Sequence, residues 1–114
     1  MKKLNLQDIQ IVPTHNGSVY KRVLIQKGEA ESDLIYMNEA YLHPNMKIEP
    51  HMHDDMEEFY YFLEGEGLMY VGNEVEKIKA GDRVIVPIKQ THSVENNGDK
   101  TILFITFGVK VRLD

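Results

Sequence analysis

Cysteine is absent from this 114-residue chain. That removes disulfides, thiolate metal ligands and thiol nucleophiles together, so any bound metal has to be held by nitrogen and oxygen. Also missing is an apolar run approaching the roughly 20 residues that a membrane-spanning helix needs. Lys and Arg do not cluster, and 13 of them stand against 18 Asp and Glu, giving a formal net charge of -5. Nucleic acid and anionic membrane surfaces are therefore not the expected partners, which leaves small molecules. No internal repeat, low-complexity tract or linker divides the chain, and helical periodicity is nearly lacking. The opening Met1-Lys2-Lys3-Leu4-Asn5-Leu6 imitates a signal peptide only until Gln7, Asp8 and Gln10 interrupt its apolar stretch, so a cytoplasmic location is expected.

What is present is a succession of short β-rich runs. A hydrophobic fraction of 42% is ordinary for a globular chain, and the length suits one domain with a core of its own. Residues 1–16, with Pro13, form an expected N-terminal arm holding one short strand. Residues 17–114 form the main domain. Its strands are expected at Val19–Lys27, Leu34–Leu42, Phe59–Leu63, Leu68–Val71, Val75–Ile78, Arg83–Val86 and Thr101–Phe107. Gly72-Asn73 gives a two-residue hairpin signal, and Ala80-Gly81-Asp82 and Asn97-Gly98-Asp99-Lys100 give further turns. Strands this short, with turns this frequent, predict a closed or sandwiched antiparallel fold.

The chemistry concentrates between Pro50 and Gly65. Side chains alternate in an extended chain, so His51 and His53 share a face with their ring nitrogens near enough to grip one ion. A third imidazole, His92, follows a later strand. Two carboxylates compete to join them. An uninterrupted strand from His53 would put Glu57 on the ligand face, whereas Glu58 requires a turn within Asp54–Met56, which that acidic stretch can supply.

At these residues the chain resembles the cupin superfamily. The family's first motif, G(X)5HXH(X)3,4E(X)6G, is matched by His51, His53, Glu58 and Gly65, and its second, G(X)5PXG(X)2H(X)3N, by Gly81, Pro87, His92 and Asn96. The motif spacing selects Glu58 over Glu57. Two glycines of the pattern are replaced. Asn45 stands at the first, a mild change since Asn tolerates left-handed geometry. Lys89 stands at the second, implying either that the turn before His92 needs no positive φ or that its loop takes another conformation. The resemblance implies an all-β fold, a double-stranded β-helix of six to eight strands in a jelly-roll cupin barrel. It also implies one divalent transition metal held inside by His51, His53, Glu58 and His92. Imidazole plus carboxylate suits Mn, Fe, Ni, Cu or Zn without choosing among them, and four protein ligands leave up to two positions of an octahedral ion open.

His15 and His43 have no motif partner and are expected at the surface, with His43 a lesser candidate for support of the site. Tyr60 and Phe62 share the face of Glu58 and are the candidates for a cavity lining, where the Tyr60 hydroxyl can orient substrate. Tyr70, Phe104 and Phe107 are expected in the core, and Met46, Met52, Met56 and Met69 as gap fillers. The expected function is a metal-dependent oxygenase-like oxidoreductase acting on a small organic molecule. A sugar or sugar-phosphate isomerase is the alternative, with Arg22, Lys47 and Arg83 as cations for phosphate; a non-catalytic metal- or ligand-binding module is another. Because both faces of the 58–63 strand carry bulky apolar groups, a homodimer covering the outer face is expected, with the arm as a candidate exchanged strand.

Overall fold

The computed structural model describes residues 1–113 as ten antiparallel strands in two sheets. One sheet has six strands in the order β1 (Val12–Thr14), β2 (Val19–Ile25), β3 (Leu34–Leu42), β10 (Ile102–Lys110), β5 (Met56–Glu64) and β8 (Arg83–Val86). The other has four, β4 (Lys47–His51), β9 (His92–Glu95), β6 (Glu66–Val71) and β7 (Glu74–Lys79). The two-sheet order is that of a jelly roll. Ten strands form rather than six to eight because the arm adds β1, paired with β2, and the approach to the histidines adds β4, paired with β9. Short 3-10 turns at Leu6–Asp8 and His15–Gly17 are the helical elements among the described residues, and no helix among them is long and apolar enough to cross a membrane.

Alternation along each strand decides what enters the barrel. On β3 the inward residues are Tyr36, Asn38, Ala40 and Leu42, and on β5 they are Glu58, Tyr60 and Phe62, each matched across β10 by Gly108, Thr106 and Phe104. Phe62, Phe104, Leu42, Ile102 and Val94 are almost wholly removed from water, and the Phe62 and Phe104 rings pack at 5.6 Å. This apolar plug closes one end of the barrel. The motif glycine Gly65 sits against it at φ 85, where a Cβ would lie 2.8 Å from the Thr101 carbonyl, so the turn into β6 admits no side chain.

The outer face of β5 differs from a sheet buried on both sides. Phe59 stacks on Phe107 at 4.9 Å, but Tyr61 and Leu63 are 44% and 37% exposed, and Ile85 of β8 is exposed beside them. The core expectation also fails for Tyr70, which points outward and donates to Glu95, and for Phe107, whose register on β10 sets it on this outer face.

Candidate metal centre

The open end of the barrel carries the histidines, and two backbone irregularities aim them. Pro50 lies in β4, an edge strand, where a missing N–H costs no interior ladder bond. The pairing of β4 with β9 slips by one between Ile48 and His51, a bulge that turns His51 to the side Ile48 already faces and sets it opposite His92. His53 lies beyond the end of β4, so the pair does not sit on one unbroken strand. Its carbonyl is pinned by the Lys89 N–H at 2.7 Å. A turn at Asp54–Asp55 follows, and Glu58 therefore enters the barrel while Glu57 remains half-buried outside it.

Lys89 keeps the left-handed backbone, at φ 62, and Asn45 does the same at φ 67. Neither expectation for Lys89 holds: the turn still needs a positive φ, its loop still delivers His92, and lysine adopts the strained conformation because its N–H is locked to His53.

One donor atom from each of His51, His53, Glu58 and His92 lies within 4.8 Å of the other three. The His51 Nδ1–H donates to the Glu49 carbonyl at 2.9 Å and the His92 Nδ1–H to the Gln90 carbonyl at 3.1 Å. A carbonyl can only accept, so in each neutral ring the Nε2 lone pair is left for the cavity. The His92 Nε2 then meets Glu58 Oε1 at 3.0 Å, two acceptors face to face, which requires a proton or a cation between them. The buried His53 Nε2 has no hydrogen-bond partner and lies 3.9 Å from the same oxygen. An unsatisfied buried nitrogen beside an acceptor pair is the arrangement a divalent cation resolves. The donor set therefore fits a metal ion.

Burial favours the neutral form of the His51 and His53 imidazoles. Desolvation lowers the His51 pKa to about 4, with the neighbouring His92, His15 and His53 rings adding to the shift against the raising effect of the Glu49 carbonyl. Desolvation also lowers that of His53, followed by the charges of His92 and His15. Glu58 is fixed from two sides. Tyr36 donates to Oε2, and Tyr60 donates to Oε1 at 2.9 Å. Burial, then the Glu58 charge and this hydrogen bond, raise the Tyr60 pKa well above 10, so the hydroxyl stays a donor. Gly108 makes room for the arrangement, since a Cβ there would meet the Tyr36 ring at 2.9 Å.

Three of the four donors border a cavity of about 280 Å³ between the sheets, and His92 stands behind Glu58. His51, His53, Glu58 and Tyr60 line it, as expected, but Phe62 packs beneath in the apolar plug. His15 is exposed, as expected, yet it also borders the cavity, with its ring centroid 5.0 Å from that of His51. The His15-Asn16-Gly17 turn, all three at positive φ, brings it there from the arm, a placement that no local spacing announces. Tyr36, Asn38 and Thr106 are further lining residues that sequence reasoning passed over, although each is a polar residue on the inward parity of an otherwise apolar strand face. His43 stays outside, exposed and hydrogen-bonded to Thr101 at 3.0 Å. Asn96 holds the turn before β10, donating to the Leu42 and Lys100 carbonyls at 2.9 and 2.7 Å.

Known proteins place this architecture. An uncharacterized protein of Methanocaldococcus jannaschii is 36% identical over 104 residues, covering 87% of this chain and 80% of that protein. An oxalate-binding protein of Thermotoga maritima is 34% identical over 90 residues, covering 69% of this chain and 74% of its own. Among solved structures, a predicted oxalate decarboxylase of Thermotoga maritima superimposes with a TM-score of 0.90 at 24% identity, over 96% of this chain and all of that one. The polyketide cyclase RemF of Streptomyces resistomycificus gives 0.78 at 20% identity, over all of this chain and 87% of that one. These two likenesses carry the fold, a double-stranded β-helix. The cupin domain profile matches residues 38–108, from the third strand to the last and through every residue of the donor cluster, and the chain belongs to that family.

Proposed function

We propose that this cupin holds one divalent transition metal on His51, His53, Glu58 and His92 and binds a small organic acid at the open positions of that ion. The observation that carries the reading is the acceptor cluster of His53, Glu58 and His92, with the His53 Nε2 unsatisfied and His53 and Glu58 on the wall of a cavity sized for a small molecule. The kinship with an oxalate-binding protein supports an acid as the ligand. When bound, the metal supplies a Lewis acid and a template for ligand and oxygen. The chain's own groups do the rest. The Glu49 and Gln90 carbonyls hold the His51 and His92 rings in the ligating tautomer, and Tyr36 and Tyr60 hold the carboxylate. Tyr60 thus acts through Glu58. The apolar plug beneath excludes water from that side.

On this site we infer oxidoreductase chemistry of the oxygenase type, with the non-catalytic binding module as the second reading, favoured by the name of the Thermotoga relative. The phosphosugar reading loses the cations expected for it: Arg22 is engaged with Glu39 at 3.1 Å and Tyr41 at 2.6 Å, and neither Lys47 nor Arg83 lines the cavity. Elemental analysis of protein purified without chelators tests the metal. Oxygen uptake and carbon dioxide release over a panel of oxalate, diketones, phenols and organic acids then separate the readings. Metal-dependent turnover supports the enzyme, stoichiometric metal with acid binding and no turnover supports the module, and absence of metal overturns both. A second copy of the chain is proposed to cover Phe59, Tyr61, Leu63 and Ile85, and a monomer by light scattering at micromolar concentration overturns that.

A further inference from the structure

The metal centre leaves part of the cavity unexplained, the part built by β2, β3 and β10. Asn38, Thr106 and Tyr60 are register partners in one row across the six-stranded sheet. Asn38 is only 8% exposed and lines the cavity, yet its Oδ1 has no hydrogen-bond partner. A desolvated amide oxygen left unpaired is costly, and a core position would serve better with an apolar residue of the same size. Asn38 therefore points to a hydrogen-bond donor that the chain itself does not provide.

Lys21 stands close by, its pairing partner Ala40 two residues along β3 from Asn38. It faces inward between Val19 and Val23, all three lining the cavity. The adjacent Arg22 faces outward and is paired with Glu39 at 3.1 Å, whereas no carboxylate among the described residues lies within ion-pair distance of Lys21. A cation turned toward the cavity and left unneutralised favours an anion there.

We propose that Asn38 and Lys21 form a distal subsite for the far end of the metal-bound acid, and that the ligand is a short hydroxy-dicarboxylic acid. One carboxylate faces the metal ligands, the hydroxyl donates to Asn38 Oδ1, and the second carboxylate pairs with Lys21. The cavity, about 280 Å³, is just below the range used by drug-sized ligands and limits the acid to a few carbons. This rests on the metal-and-acid reading above and adds the chemistry of the ligand's other end.

The test uses the full chain loaded with Mn(II) and titrated calorimetrically with malate, tartrate and oxalate, in the wild type and in Asn38→Leu and Lys21→Met. Oxalate spends both carboxylates on chelation, so its affinity is expected to stay within about 3-fold in either variant. Malate and tartrate are expected to lose roughly 10-fold or more in each. The melting temperature of metal-free Asn38→Leu is expected to hold or rise, which a merely structural amide would not allow. Equal losses for oxalate and malate, no loss in either variant, or a wild type that binds oxalate but neither hydroxy acid overturns the subsite alone. A wild type that takes up no Mn(II), or binds no acid, overturns the reading beneath it. Should Asn38→Leu fail to fold, that failure counts as the structural outcome for Asn38, and Lys21→Met still decides the anion.

Discussion

The two ends of the barrel are built from the same strands and obey opposite rules. At the closed end the inward positions of β3, β10 and β5 are Leu42, Ile102, Phe104 and Phe62, packed without a polar atom to satisfy. A few residues along the same strands, the inward positions become Tyr36, Asn38, Thr106 and Glu58, and two buried polar atoms there lack partners. The contrast teaches that stability and function are separated along the strand axis. The closed end removes apolar surface from water and fixes the register. The open end accepts unsatisfied groups that a ligand has to complete, a cost the closed end offsets.

The sharpest way to break this comparison is to move damage from one end to the other. Phe62→Ala leaves a void in the plug and is expected to destabilise by about 3–5 kcal/mol in chemical denaturation, while the folded fraction keeps its metal affinity. His53→Ala should do the reverse. Metal affinity is expected to fall more than about 100-fold, beyond the loss typical of an outer-shell partner, with metal-free stability unchanged or higher because an orphaned nitrogen has gone. If His53→Ala unfolds the metal-free protein, the separation of the two ends is wrong. Tyr36→Phe lies between. It removes a donor to Glu58 without touching the ligand set, and a loss of about 10–100-fold in metal affinity, measured by competition with a chromophoric chelator, is expected.

The sequence made these two ends unequally legible. Motif spacing picks out His51, His53, Glu58 and His92, the four residues whose donor atoms the fold gathers, because groups able to share one ion come from fixed offsets on neighbouring strands, and the bend at Asp54–Asp55 brings Glu58 rather than Glu57 into that group. The strands were legible from aromatic and β-branched runs bounded by glycine. What stayed hidden depended on the sense of a face or on long-range placement. The sequence offers Arg22 as a cation where Lys21 faces the cavity, because a strand mixed on both faces does not announce which parity is inward. Only the flanking Val19 and Val23 signalled it. The approach of the exposed His15 to His51 depends on the arm folding back along β2.

Acid separates the ends by titration. His51, His53 and His15 all have pKa values lowered from 6.5, that of His51 to about 4, so in this window the unfolded chain binds protons that the folded, metal-free chain does not. Stability of the chelator-treated protein is therefore expected to be full above pH 6.5 and to decline as the pH falls toward 4. The apolar side chains of the plug, Leu42, Phe62, Ile102 and Phe104, cannot titrate, so His51→Gln should flatten the decline measurably in thermal melts. An unchanged slope would show that the open end is not where the protons enter.

The smallest expected effect concerns the one residue that links backbone strain to the site. Lys89 occupies left-handed geometry at φ 62 while its N–H holds the His53 carbonyl at 2.7 Å. Left-handed backbone costs an ordinary residue about 1–2 kcal/mol, and glycine would relieve it while giving back about 0.5–1 kcal/mol in chain entropy. Lys89→Gly is therefore expected to stabilise the protein by about 0.5–1 kcal/mol. Metal affinity should not change, because the hydrogen bond belongs to the backbone and survives the substitution. A gain in stability with a loss of metal affinity would instead mean that the lysine side chain itself serves the centre, and the open end would then extend one loop further than its lining residues indicate.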